Sequence, residues 1–175
     1  MAFVKTKYVR ASASANGAAG EHQRPLLAIY CLVLRGPQLL LLKRTGTKYA
    51  SGFWSVPAGH VDQGEPLLAA ASRELEEETG LIVAQRAWSL VAFMHRQTRQ
   101  RSIIDVFLRT EEFSGDLMNR EPEKHGALGF RDISELPSPV VPYVKEVLAR
   151  IGPKQGGGAP FLLQYGWKEL NDRVD

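Results

Sequence analysis

The chain has 175 residues, 44% hydrophobic and 23% charged, values that fit one globular domain with a sizeable core and exclude a disordered or fibrous chain. No apolar run approaches the roughly 18 to 20 residues needed to cross a bilayer as a helix, so no membrane association is expected. The net charge of +3 invites nucleic acid, but Lys5, Lys7 and Arg10 carry the whole excess and charges balance from Glu21 onward, so a local patch describes the chain better than a basic surface.

Residues 1–24 are rich in Ala, Ser and Gly, with no acid before Glu21, and read as a flexible tail. The same acid-poor, basic, Ser-containing composition also fits a mitochondrial targeting segment. The lone Cys31, inside LLAIYCLVL, reads as a small buried side chain. It excludes an intrachain disulfide and fits a reducing, cytoplasmic compartment.

From Leu26 the pattern predicts a hairpin, LLAIYCLVL and LLLLK joined by RGPQ, with both strands buried on both faces. A polar loop and a short strand, FWSVPAG, follow. Gln63-Gly64-Glu65-Pro66 then precedes LLAAASRELEEET and Gly80, which predicts a helix over 66–79 with Pro66 as its first residue and Gly80 as its left-handed cap. AWSLVAFMHRQ and RSIIDVFLRT read as a second hairpin, HGALGFRDI as a weaker strand, and PVVPYVKEVLAR as the last long helix, with Val140 and Val141 on its apolar face. KQGGGAP breaks that helix and FLLQYGW closes a domain expected over 25–170.

The helix 66–79 holds four glutamates in RELEEETG. At about 100° per residue, Leu68, Ala71 and Leu75 form an apolar stripe, while Glu74, Glu77 and Glu78 share a face about 100° wide and Glu76 points away. Like charges at these spacings cost a few tenths of a kcal/mol per pair and oppose the helix dipole. A solvated acidic face is the ordinary reading of such a run. The apolar stripe directly beside the trio places it at the margin of the core instead, where a hard divalent cation offsets the repulsion.

The surrounding segment from Gly59 to Leu81, GHVDQGEPLLAAASRELEEETGL, resembles the Nudix box. All specified positions are matched, by Gly59, Glu65, Arg73, Glu74, Leu75, Glu77, Glu78, Gly80 and Leu81. The chain is thereby similar to MutT-like Nudix hydrolases. The resemblance implies an α/β fold, an α/β/α sandwich with a mixed β-sheet between helices. It also implies hydrolysis of a nucleoside diphosphate-linked substrate with Mg2+ or Mn2+. Glu74, Glu77, Glu78 and the Gly59 carbonyl are implied metal ligands, Arg73 orients a glutamate among the catalytic residues, and Glu65 supports the cluster. Glu77 or Glu78, or Glu121 or Glu123 in NREPEKHGALGF, is implied as the base.

Outside the box, Arg44 is a candidate phosphate contact and Asp105 a candidate reader of a base edge. Either also reads as structural. His95 and Arg96 could face substrate, although a structural His is the simpler reading. Trp54, Phe53, Phe93 and Phe107 read first as core. No proline lies between Gly80 and Pro122, which leans away from ADP-ribose and toward a nucleoside triphosphate or modified nucleotide. Alternatives are an ADP-ribose or nucleotide-sugar pyrophosphatase, a non-catalytic ligand-binding protein, and an RNA-end hydrolase. The expected partner is a small nucleotide, with room for a homodimer.

Overall fold

A strand that is apolar at every position must be covered on both faces, and the first strand dictates the architecture for that reason. The computed structural model describes residues 24–151 and 158–167. The expected tail, apart from Arg24, and residues 152–157 and 168–170 of the expected domain, with most of the KQGGGAP segment, lie outside the described residues. Strands β1 (Leu26–Arg35) and β2 (Gln38–Arg44) form the expected hairpin; β3 (Trp54–Ser55) and β4 (Ala58–His60) follow, then helix α1 (Leu67–Thr79). Beyond it come β5 (Ser89–Gln97), β6 (Ser102–Thr110), β7 (His125–Asp132), helix α2 (Pro142–Ile151) and β8 (Phe161–Tyr165).

The strands form one sheet in the order β3-β2-β1-β6-β5-β8, with β4 beside β1 and β7 beside β2. It is mixed: β1 runs parallel to β6, and β5 parallel to β8, while the other pairings are antiparallel. On one face Tyr30, Leu32 and Leu34 of β1 pack with Val144, Val147 and Leu148 of α2. On the other, Ile29, Cys31 and Val33 pack with Ala70, Ala71 and Leu75 of α1. The expected helix-sheet-helix sandwich is therefore present, and alternate residues of a single strand serve its two cores. No described helix is long and apolar enough to cross a membrane.

Leu75 anchors α1 from within RELEEETG and is fully buried. Leu75→Ala is expected to lower stability by about 2–5 kcal/mol through lost burial and a residual cavity. The measurement is a urea unfolding curve, in which the midpoint should fall at an unchanged slope.

Several sequence expectations need correction. Pro66 stands just outside α1, in extended conformation with ψ 139°, and its carbonyl accepts from Ala69 and Ala70. Gly80 caps the helix as expected, at φ 73°, with its N–H donating to the Glu76 carbonyl. A Cβ there would also meet the Asp116 carbonyl at 2.8 Å. Val140 and Val141 precede α2: backbone bonds from Trp54 to Pro139 and from Val141 to Trp54 hold them extended against β3. Trp88 lies before β5, where its indole N–H donates to Ser72 Oγ. Phe107 is core, stacked on Tyr30 at 4.6 Å between centroids, whereas Phe93 is 41% exposed.

Candidate active site

Strand β4 pairs with β1 through Ile29 and Gly59, and α1 packs across it, so the backbone of Ala58–His60 meets the carboxylates of the helix. A Cβ built on Gly59 would fall 1.9 Å from the Glu74 carboxyl carbon. Only glycine lets that carboxylate approach so closely. Glu78 reaches the same strand, with Oε2 accepting the Ala58 N–H at 3.0 Å.

Arg73 holds the cluster together. Its Nε and Nη2 donate to the two oxygens of Glu65 at 2.8 and 2.9 Å, and Nη2 also donates to the His60 carbonyl. Nη1 donates to Glu74 at 2.9 Å and to Glu77 at 3.1 Å. One planar guanidinium thus fixes three carboxylates and a carbonyl, a geometry an ammonium cannot reproduce. Glu76 stands apart, exposed and 3.8 Å from Arg120, as its helical phase requires.

The electrostatics follow from burial. Glu65 is held down to about 2 by its hydrogen bonds from Arg73. Glu78, 7% exposed, is pushed up to about 8, chiefly by burial. Glu74 is raised by burial, with Arg73 opposing. Two carboxylates held close together out of water, against their preference for hydration, form a site that a cation stabilises. The oxygen-rich donor set suits Mg2+ or Mn2+.

The loop after β6 returns to this cluster and brings Glu121 with it. Ligating atoms of Glu78, Glu121 and His125 all lie within 4.8 Å of one another. Glu121 also accepts from Lys124 Nζ at 2.6 Å. Glu123 is exposed and is not part of this group. His125 is 4% exposed, and burial lowers its pKa, so the ring is neutral at neutral pH. Nothing in the sequence marked it beyond its place just after an acidic loop.

Beside Ala58, Gly59 and His60 opens a cavity of about 500 Å³. Arg44, Arg96, Arg99 and Arg101 line it together with Tyr30 and Tyr143, and among the described residues no carboxylate does. Arg44 is pinned at the end of β2 by an Nε bond to the Tyr49 carbonyl. Asp105 is fully buried, and Arg96 takes both its oxygens, at 2.5 and 2.9 Å, so Arg96 presents the polar edge to the cavity. Arg96 also lies 4.1 Å over the Tyr143 ring, and the Tyr30 hydroxyl donates to that of Tyr143 at 3.0 Å. His95 turns elsewhere, bonded to Ser102 and edge-on to Trp167. Trp54 is partly buried against the core. Arg99 and Arg101 were not singled out from the sequence, although three arginines in RQTRQR are the signal.

Comparison with known proteins places this geometry in context. Residues 24–151 match the NUDIX domain family. The crystal structure of a MutT NUDIX hydrolase from Burkholderia pseudomallei superposes with a TM-score of 0.68 at 27% identity, over 74% of this chain and 99% of that one. Nudix hydrolase 10 of Arabidopsis thaliana is 49% identical over 39 residues, 22% of this chain and 14% of that protein. An ADP-ribose pyrophosphatase of Methanocaldococcus jannaschii is 26% identical over 113 residues, 65% of each chain. The matched segments thus span less than two thirds of both curated relatives.

Proposed function

The chain belongs to the NUDIX domain family, and from that membership we propose that it hydrolyses a nucleoside diphosphate-linked compound with Mg2+ or Mn2+. The preferred substrate is a nucleoside triphosphate or modified nucleotide, cleaved to monophosphate and pyrophosphate. The observation that carries this reading is the meeting, at Ala58–His60, of the carboxylate cluster and a cavity lined by four arginines. A cation on one side and guanidinium groups on the other suit a chain of phosphates.

Glu74, Glu77, Glu78 and the Gly59 carbonyl would hold the cation. When bound, it neutralises the diphosphate and makes its water more acidic. Arg73 and Glu65 keep the carboxylates in place, so little reorganisation accompanies binding. Arg44, Arg99 and Arg101 offer donors to phosphate oxygens, while Tyr30, Tyr143, Leu26 and Ile103 give the cavity an apolar wall for a nucleoside. Arg96, neutralised by Asp105, offers hydrogen bonds without free charge. The group that orients the attacking water is drawn from Glu77, Glu78 and Glu121.

One observation favours a second reading, cleavage of ADP-ribose: the similarity to the Methanocaldococcus jannaschii enzyme. A substrate screen covering nucleoside triphosphates, oxidised nucleotides, ADP-ribose, dinucleoside polyphosphates and capped RNA separates the two. Release of pyrophosphate from a triphosphate supports the first reading, and cleavage of ADP-ribose alone supports the second. The double variant Arg99→Gln/Arg101→Gln is expected to raise KM for the triphosphate about tenfold, the equivalent of about 1.4 kcal/mol, with kcat nearly unchanged. Steady-state kinetics at low and high salt check this: the wild-type KM should depend more steeply on salt, and equal slopes would remove the arginines from binding.

A further inference from the structure

His125 is the unexplained group beside the carboxylate cluster. It is 4% exposed, yet its Nδ1 is buried without a hydrogen-bond partner among the described residues. Its Nε2 lies 3.6 Å from Glu78 Oε1, beyond hydrogen-bond range. A buried polar atom left unpaired costs about 1–3 kcal/mol and calls for a reason.

The backbone around it is firmly fixed. The His125 N–H donates to the Glu121 carbonyl, and its own carbonyl accepts from Asn119 Nδ2 at 2.6 Å. Opposite Arg44 of β2, it opens β7. The fold therefore orders one ring nitrogen of this imidazole within 4.8 Å of carboxylate oxygens from Glu78 and Glu121, with Nε2 facing Glu78, and leaves Nδ1 without a partner among the described residues.

We propose that Glu78, Glu121 and His125 form a mixed oxygen and nitrogen cation subsite, which makes this chain favour transition-metal dications such as Mn2+ over Mg2+. The proposal deepens the hydrolase reading and rests on it only for the use to which the cation is put. Mg2+ takes hard oxygen ligands and gives up its waters reluctantly, whereas imidazole suits the first-row transition metals. Glu74, Glu77 and the Gly59 carbonyl offer only oxygen, so His125 is what distinguishes this subsite. Lys124 is ion-paired to the same carboxylate, at Glu121 Oε1.

The test is made on the full-length chain without substrate. Electron paramagnetic resonance of added Mn2+ gives its affinity and, by competition, that of Mg2+. Pulsed measurements on the bound ion report directly whether nitrogen is coordinated. The expected result is a nitrogen-14 coupling in the wild type, with Mg2+ displacing Mn2+ only at concentrations tenfold or more above it. Replacing even groups that support a metal ligand costs about 10–100-fold in affinity. His125→Asn should therefore lose the coupling and weaken Mn2+ by at least about tenfold, while Mg2+ binding stays put.

Bound Mn2+ with no nitrogen coupling in the wild type overturns the proposal, as does His125→Asn binding Mn2+ like the wild type. Should His125→Asn fail to fold, the wild-type spectrum decides alone. Hydrolysis without nitrogen coupling would sink this inference and leave the proposed function standing. Nitrogen-coupled Mn2+ in a chain that hydrolyses nothing would do the reverse.

Discussion

Glu78→Gln is expected to reduce kcat/KM by about a thousandfold without unfolding the protein. Glu78 is the most buried of the three box carboxylates, and a metal ion acting on phosphoryl oxygens contributes several kcal/mol, where each 1.36 kcal/mol is tenfold in rate. Glutamine has the same shape, and its amide oxygen can still accept the Ala58 N–H that Glu78 Oε2 accepts at 3.0 Å. With its pKa pushed up to about 8 by burial, Glu78 is largely protonated at neutral pH without a cation, so the neutral amide matches its charge as well as its shape. In metal-free buffer the variant should therefore be at least as stable as the wild type. Added Mn2+ should raise the wild-type melting temperature and leave that of the variant nearly unchanged, since a ligand stabilises only what it binds. A variant with full activity, or one with the wild-type metal-induced shift, would remove Glu78 from the metal site.

Arg73→Lys should be nearly as damaging, for a different reason. Lysine keeps the charge but cannot span Glu65, Glu74, Glu77 and the His60 carbonyl together. Hydrogen bonds to charged groups are worth about 1.5–3 kcal/mol each when desolvated. Because the Arg73 side chain is 30% exposed, water recovers part of that loss, and the net cost in stability should be about 2 kcal/mol. The larger effect is on rate: carboxylates no longer held in place should lower kcat by about a hundredfold, about 2.7 kcal/mol of barrier, more than they raise KM. Denaturant unfolding and steady-state kinetics measure the two parts. Wild-type kcat in Arg73→Lys would show that the bidentate geometry is dispensable.

The parts of this molecule that could be read before folding are those set by local spacing. Helical phase alone separated Glu76 from Glu74, Glu77 and Glu78, and in the structure Glu76 faces Arg120 while the others face β4 and Arg73. The unbroken apolar run of β1 announced cover on two faces, and its alternate residues do divide between two cores. Gly80 was readable because a left-handed cap needs it. Pro66 was misplaced by one residue because ψ, unlike φ, is not fixed by the proline ring.

What escaped notice depends on register between distant segments. Nothing in RSIIDVFLRT says that it will lie parallel to β1, or in FLLQY that it will lie parallel to β5, since either pairing is decided by cover from helices far away in the chain. The same holds for the site. Arg99 and Arg101 acquire meaning only when the turn after β5 brings them to the cavity that Gly59 and His60 also line. His125 does so only when β7 pairs with β2 and brings the ring to Glu78. Asp105 illustrates the converse: its acceptor oxygens looked available, but the neighbouring strand supplies Arg96 directly to them.

The central claim is that a cation held by the carboxylates of α1 supports attack of water on phosphorus beside the arginine-lined cavity. The most direct test is hydrolysis of the substrate panel in oxygen-18 water, with Mg2+ or Mn2+ and in parallel with chelator, the products being followed by phosphorus NMR. The account predicts cleavage of at least one substrate with one labelled oxygen in one phosphate product, none in chelator, and almost none with Glu78→Gln. Undiminished cleavage in chelator, or no cleavage of any panel member with either metal, would contradict it.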